Sequence, residues 1–294
     1  MRTTRLTVGS ALAAVALTLG ALVATPSPGG AQTNPFQRGP APTAASVIAQ
    51  RGSFTFSQVS VTGSSTLGFN RGTVYYPNDT SQGTFAAIAV VPGFVSPESF
   101  IAWTGPFLAS NGFVVMTLEP FSGFDNPEAR ATQLNAALNW LKSSSPAAIR
   151  SRVDPTRLGA IGHSMGGGAT LELARRNSQP NLKAIVPLQP WFLIPNFSGV
   201  RVPSMQVGVS DDFIAPPGSN AEVFYGQLPT TTEKAYLEVS SGTHFLGNVF
   251  NNEQARATLS WMKRFLDNDT RYSQFICPGP TGGLVAEYRS TCPV

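Results

Sequence analysis

One short segment limits the architectures open to this chain more than any other. From Leu158 to Gly168 it reads L-G-A-I-G-H-S-M-G-G-G, an apolar run entering Gly162-His163-Ser164-Met165-Gly166, and Ala169-Thr170-Leu171-Glu172-Leu173-Ala174-Arg175 leaves it with helical spacing. A bare Gly-x-Ser-x-Gly recurs by chance. Set between a strand and a helix, it is the sharp elbow that lifts a serine hydroxyl to the tip of a strained turn. Without side chains at 162 and 166 the helix passes close to the strand while Ser164 projects, and the helix start turns backbone N–H groups toward a developing anion. The bland alternative, an inert serine in a Gly-rich turn, does not account for the flanking pattern.

The rest of the chain supplies the sheet that such an elbow needs. Apolar and β-branched runs predict strands at 54–59, 73–76, 86–91, 113–118, 158–161, 184–188, 204–209 and 235–239. Helical spacing appears at 97–110, 127–141 with a Leu134/Leu138/Leu141 stripe, 165–177, 221–228 and 252–266. Strand followed by helix, five times over, implies an α/β protein with a mostly parallel central sheet and helices on both faces. The first two or three strands have no helix between them and read as an antiparallel edge. Trp140 and Trp261 lie within helical patterns and are expected in the core.

A nucleophilic serine needs a base, and the chain has only two histidines. His163 adjoins Ser164 and its side chain should point away from it. His244 follows the strand at 235–239 and precedes the last helix, a loop position suited to the role. The orienting acid should follow the preceding strand, where Asp211 and Asp212 compete and local pattern does not separate them. The order Ser…Asp…His is that of the α/β-hydrolase fold.

The N-terminus reads as an export signal: Arg2 and Arg5, an apolar stretch from Val8 to Val23, then small residues and prolines through Ala31. Cleavage after Ala24 or Ala31 is expected, leaving at 32–294 a single secreted, extracellular domain without a membrane anchor. Loss of two arginines at Ala31 would take the formal charge from +4 to +2. Cys277 and Cys292 are the only cysteines; in an oxidising compartment they should pair and pin a tail rich in Gly and Pro. With charged residues at 12% and arginines spread singly, nothing points to nucleic acid, and a neutral or apolar partner fits better.

Several motifs together carry a resemblance. From Asn34-Pro-Phe-Gln-Arg-Gly-Pro40 to Tyr288-Arg-Ser-Thr-Cys-Pro293, the chain resembles the bacterial cutinases and polyester hydrolases, including enzymes that cleave poly(ethylene terephthalate). The matching motifs are Val91-Pro-Gly-Phe94, Asp154-Pro-Thr-Arg-Leu-Gly159, Gly162-His-Ser-Met-Gly-Gly167, Pro190-Trp191, Asp212-Phe-Ile-Ala-Pro216, Thr243-His-Phe245 and Asp267-Asn-Asp-Thr-Arg-Tyr272. The resemblance implies that Asp212, not Asp211, completes a triad with Ser164 and His244, and that the N–H groups of Phe94 and Met165 form an oxyanion hole. It further implies a cleft lined by Phe94, Met165, Trp191 and Ile214, with His163 and Phe245 on its floor and rim. Two departures stand out. Positions 209 and 246, cysteines in a member with a second disulfide, are Val209 and Leu246, and Ser240 stands where some relatives use an acid with a partner such as Glu287 to bind calcium. No metal and no cofactor are expected.

About a dozen residues separate Leu188 from Val202, too few for the lid that many proteins of this fold insert there. An open groove implies hydrolysis of polymeric polyesters and of short acyl esters, with a monomer as the working unit. The rival readings are a triacylglycerol lipase or carboxylesterase, a secreted acyltransferase, and a non-catalytic binding module. The last usually loses one of the three triad residue types, and all three are present here in order.

Overall fold

Runs of β-branched and apolar residues build nine strands among the described residues: β1 Phe56–Ser64, β2 Phe69–Pro77, β3 Phe85–Val91, β4 Val114–Glu119, β5 Val153–His163, β6 Leu182–Leu188, β7 Ser204–Val209, β8 Lys234–Val239 and β9 Val285–Ser290. They form one sheet in the order β1-β2-β4-β3-β5-β6-β7-β8-β9. The six strands from β3 to β8 run parallel, and β1, β2 and β9 pair antiparallel at the two edges. This is the α/β-hydrolase fold. The computed structural model describes residues 1–4 and 34–293. Residues 1–4 carry no regular secondary structure, and the rest of the leader predicted at 1–31 lies outside the described residues.

Alternation along the buried strands sorts side chains into two core layers. On β3, Phe85, Ala87, Ala89 and Val91 face α2 (Pro127–Ser143) and α4 (Met165–Arg176), joined there by Leu134, Leu138, Leu141 and Leu171. Ala86, Ile88 and Val90 face the other way, toward α1 (Thr104–Ala109) and α6 (Asn252–Leu266), with Phe107, Trp261 and Met262. A wholly buried Leu or Phe stabilises by about 1.5–3 kcal/mol, so both helical layers are held by the same force. Trp140 caps the first layer, its ring edge-on to Phe69 at 5.7 Å. The shorter helices α3 (Ala147–Arg150) and α5 (Ala221–Gln227) complete the set.

Several predicted boundaries move. The helix predicted at 97–110 is instead a 3₁₀ turn, Glu98–Phe100, followed by α1. Pro106 has no N–H to donate, so it is tolerated only in the first turn, and the helix must begin just before it. Only β1 and β2 form the antiparallel edge at that side, since β3 runs parallel to β4 and β5. β5 starts at Val153, five residues before the predicted start, and continues through Pro155. The tail past α6 is not loop alone: β9 pairs with β8, and the Cys277–Cys292 bond, with a Cα–Cα distance of 5.6 Å, ties the strand's far end back to the chain. Residues 189–203, between β6 and β7, contain no helix and hence no helical lid. Among the described residues no helix is long and apolar enough to cross a membrane.

Candidate active site

Ser164 caps α4 directly after β5, with φ 57° and ψ −120°. L-residues avoid this conformation, which costs about 1–3 kcal/mol and persists only where the surroundings enforce it. Here they do. A Cβ on Gly162 would lie 2.1 Å from the Gly166 carbonyl oxygen, and one on Gly166 would lie 2.3 Å from that of Val91, so only glycine lets helix, elbow and β3 approach this closely. The Ser164 amide donates to the Leu188 carbonyl at 3.0 Å, and the Ser164 carbonyl accepts from Trp191 N–H at 2.9 Å.

The loops after β7 and β8 bring two side chains to the serine that follows β5. His244 opens a 3₁₀ turn, His244–Asn248, after β8, and its Nε2 lies 2.8 Å from Ser164 Oγ. Its Nδ1 lies 2.7 Å from Asp212 Oδ2, in the loop after β7. The other Asp212 oxygen accepts from the Ile214 and Ala215 amides at 2.9 and 2.8 Å. Burial alone would raise this carboxyl, but the bonds from His244 and the two amides outweigh it and hold Asp212 below the usual carboxylate range. All three side chains are buried, and Asp211 is exposed with no hydrogen bond or ion pair among the described residues.

The residues predicted as oxyanion donors lie next to the serine along the chain or on the adjoining loop. Met165 is the first residue of α4, where N–H groups lack intrahelical acceptors. Phe94 follows β3 in a loop so close that a Cβ on Gly93 would sit 2.8 Å from the Ser164 Cβ. Phe94, Ile214 and Phe245 are exposed, and Trp191 and Met165 half-buried, around the opening. His163 lies deeper than these residues. It is only 1% exposed and lies behind His244, rings 4.8 Å apart, with Nε2 2.7 Å from the His244 carbonyl oxygen. It is the last residue of β5, and its ring packs against that of His244. Burial, with the nearby His244, pushes its pKa down to about 4.

Sequence reasoning missed part of the rim. Phe124, in the loop after β4, is 75% exposed and packs edge-on to Phe94 at 5.5 Å. Of the fifteen exposed large apolar side chains within 34–293, eleven stand on loops after β3, β4, β6, β7 and β8, which makes the carboxyl edge of the sheet an apolar face. Beyond Phe245 that face dips into a groove of about 540 Å³ lined also by Ser99, Phe100, Asn248 and Val249. The signal was present as Phe121, Phe124, Leu193, Ile194 and Phe213 in loop segments, but one-dimensional pattern does not reveal that separate loops share an edge. Val209 is buried in the second core layer, and Leu246 packs against that layer half-buried.

The chain is similar throughout to known proteins. A family model described as PET hydrolase-like matches residues 30–293. A bis(hydroxyethyl) terephthalate hydrolase of Streptomyces coelicolor is 47% identical over 291 residues, covering 98% of this chain and 92% of that protein. A cutinase of Thermobifida fusca is 46% identical over 287 residues, covering 97% and 93%, and cutinase 1 of Thermobifida cellulosilytica is 48% identical over 263 residues, covering 88% and 99%.

Proposed function

This chain belongs to the PET hydrolase-like family and is a carboxylic ester hydrolase, and from that premise we propose that it cleaves polyester chains by a Ser164–His244–Asp212 mechanism after export from the cell. The observation that carries the reading is the single imidazole bridging Ser164 Oγ and the Asp212 carboxylate at 2.8 and 2.7 Å. His244 Nε2 takes the hydroxyl proton as Ser164 Oγ attacks the ester carbonyl carbon. Asp212 fixes the tautomer and stabilises the imidazolium. The Phe94 and Met165 amides receive the oxygen that becomes negative. Collapse expels the alcohol, protonated by His244, and leaves an acyl-serine; water activated by the same histidine then releases the acid. The proton transfer requires His244 in its neutral form.

Substrate class follows from the apolar edge. The shallow apolar depression beside Phe245 suits an apolar stretch of a long chain, and the aromatic rim suits ester units with apolar spacers, aromatic terephthalate among them. The Arg2, Arg5 and apolar leader pattern supports secretion. The test is release of soluble acids from an amorphous aromatic polyester film by wild type and Ser164→Ala, beside a p-nitrophenyl butyrate control. Film release that vanishes in Ser164→Ala is expected. Butyrate cleavage without film release would move the protein to the small-ester or lipid esterases.

A further inference from the structure

A buried cation braces one wall of the site. Arg130, in the first turns of α2, is fully buried, yet no carboxylate lies within ion-pair distance of it among the described residues. An unpaired buried charge is costly unless its donors are otherwise satisfied. Here main-chain carbonyls satisfy them: Nη1 donates to Pro92 at 3.1 Å, Nη2 to Gly123 at 2.9 Å and Nε to Asp125 at 2.9 Å. The Gly123 carbonyl also accepts the Val95 amide at 2.8 Å. One guanidinium thus ties the loop after β3 to the loop after β4.

What it ties is the segment that carries Phe94. Pro92 and Val95 bracket Gly93 and Phe94, and Val95 is held at φ 52°, which a β-branched residue adopts only under constraint. Relaxing that constraint would swing the Phe94 amide. The three-point fork is also geometry that lysine cannot reproduce. One turn further along α2, Gln133 bonds the Phe121 amide and the Asp125 carboxylate, so the same helix face orders the rest of the β4–α2 loop.

We propose that Arg130 is a positioning residue for the oxyanion hole, clamping Pro92–Val95 so that the Phe94 N–H is aimed at the oxygen that becomes negative when Ser164 attacks. The inference rests on the reading of Phe94 given above. Burial lowers the guanidinium to about 10, with Asp125 and Glu119 acting the other way, so the clamp stays charged at neutral pH.

Arg130→Lys and Arg130→Met test it. Diethyl p-nitrophenyl phosphate, taken to completion, counts competent serines by stoichiometric p-nitrophenol release, and kcat and KM for p-nitrophenyl butyrate are then expressed per titrated site. A misaimed donor lowers per-site kcat by about 10- to 100-fold in Arg130→Lys and further in Arg130→Met, with KM within about twofold. A merely structural role lowers the titre and leaves per-site kcat unchanged, and that result in Arg130→Lys overturns the proposal. If wild type itself is not titrated at Ser164, the reading under Proposed function fails and takes this inference with it.

Discussion

Acidifying the medium should unload stability through His163. Its ring is 1% exposed, Nε2 is committed to the His244 carbonyl, and Nδ1 has no partner among the described residues. Burial and the neighbouring His244 hold its pKa at about 4, whereas the unfolded chain binds the proton at about 6.5. Above the unfolded value both states are neutral and the full stability is present. Between about 6.5 and 4 the unfolded state takes up a proton that the native state refuses, so stability falls with pH by up to about 1.4 kcal/mol per unit. The total over that window is about 3 kcal/mol. Urea denaturation of wild type and His163→Gln at pH 7.5, 6.5, 5.5 and 4.5 isolates it, because every other ionisable side chain is common to the two proteins. The stability advantage of wild type should shrink by about 2.5 kcal/mol from the highest pH to the lowest. An advantage that stays constant across the series would refute a buried, neutral His163.

Three further outcomes are expected. Asp212→Asn leaves the packing intact but removes the charge that orients His244, so kcat should fall by about 10⁴-fold with KM little changed, while exposed Asp211→Asn stays within about twofold; steady-state kinetics on a soluble ester separate them. Gly166→Ala places a Cβ 2.3 Å from the Val91 carbonyl oxygen and should cost about 1–3 kcal/mol in thermal unfolding, with a large loss of activity as β3 and the Phe94 loop shift. Opening the Cys277–Cys292 bond with Cys277→Ser/Cys292→Ser frees a loop of 15 residues and should cost about 3 kcal/mol, seen as a lower Tm with per-site kcat preserved, because Thr291 beside the bond pairs with Lys234 at the start of β8, the end opposite His244.

What was legible in the sequence was what depends on local chemistry. Gly162 and Gly166 around Ser164, and a histidine placed after a strand, are short-range patterns, and the alternation of strands and helices follows from periodicity that survives packing. The choice between Asp211 and Asp212 did not follow from pattern. It depends on which carboxylate turns inward to His244 and the Ile214 and Ala215 amides, a matter of the turn after β7. β9 escaped notice because V-A-E-Y-R-S is a half-exposed edge strand with little apolar run, and its place is set by pairing with distant β8. Arg130 was equally silent, since a charged residue on a helix reads as solvated until the carbonyls of Pro92, Gly123 and Asp125 are seen to close around it.

The central claim is that Ser164 is the nucleophile that His244 activates. Wild type, Ser164→Ala and His244→Ala should be treated with diethyl p-nitrophenyl phosphate, and the adduct located by peptide mass spectrometry. One diethylphosphoryl group on Ser164, formed with loss of esterase activity, absent in Ser164→Ala and strongly slowed in His244→Ala, is the predicted result. A stoichiometric adduct on another residue, or full ester hydrolysis by Ser164→Ala, would contradict it.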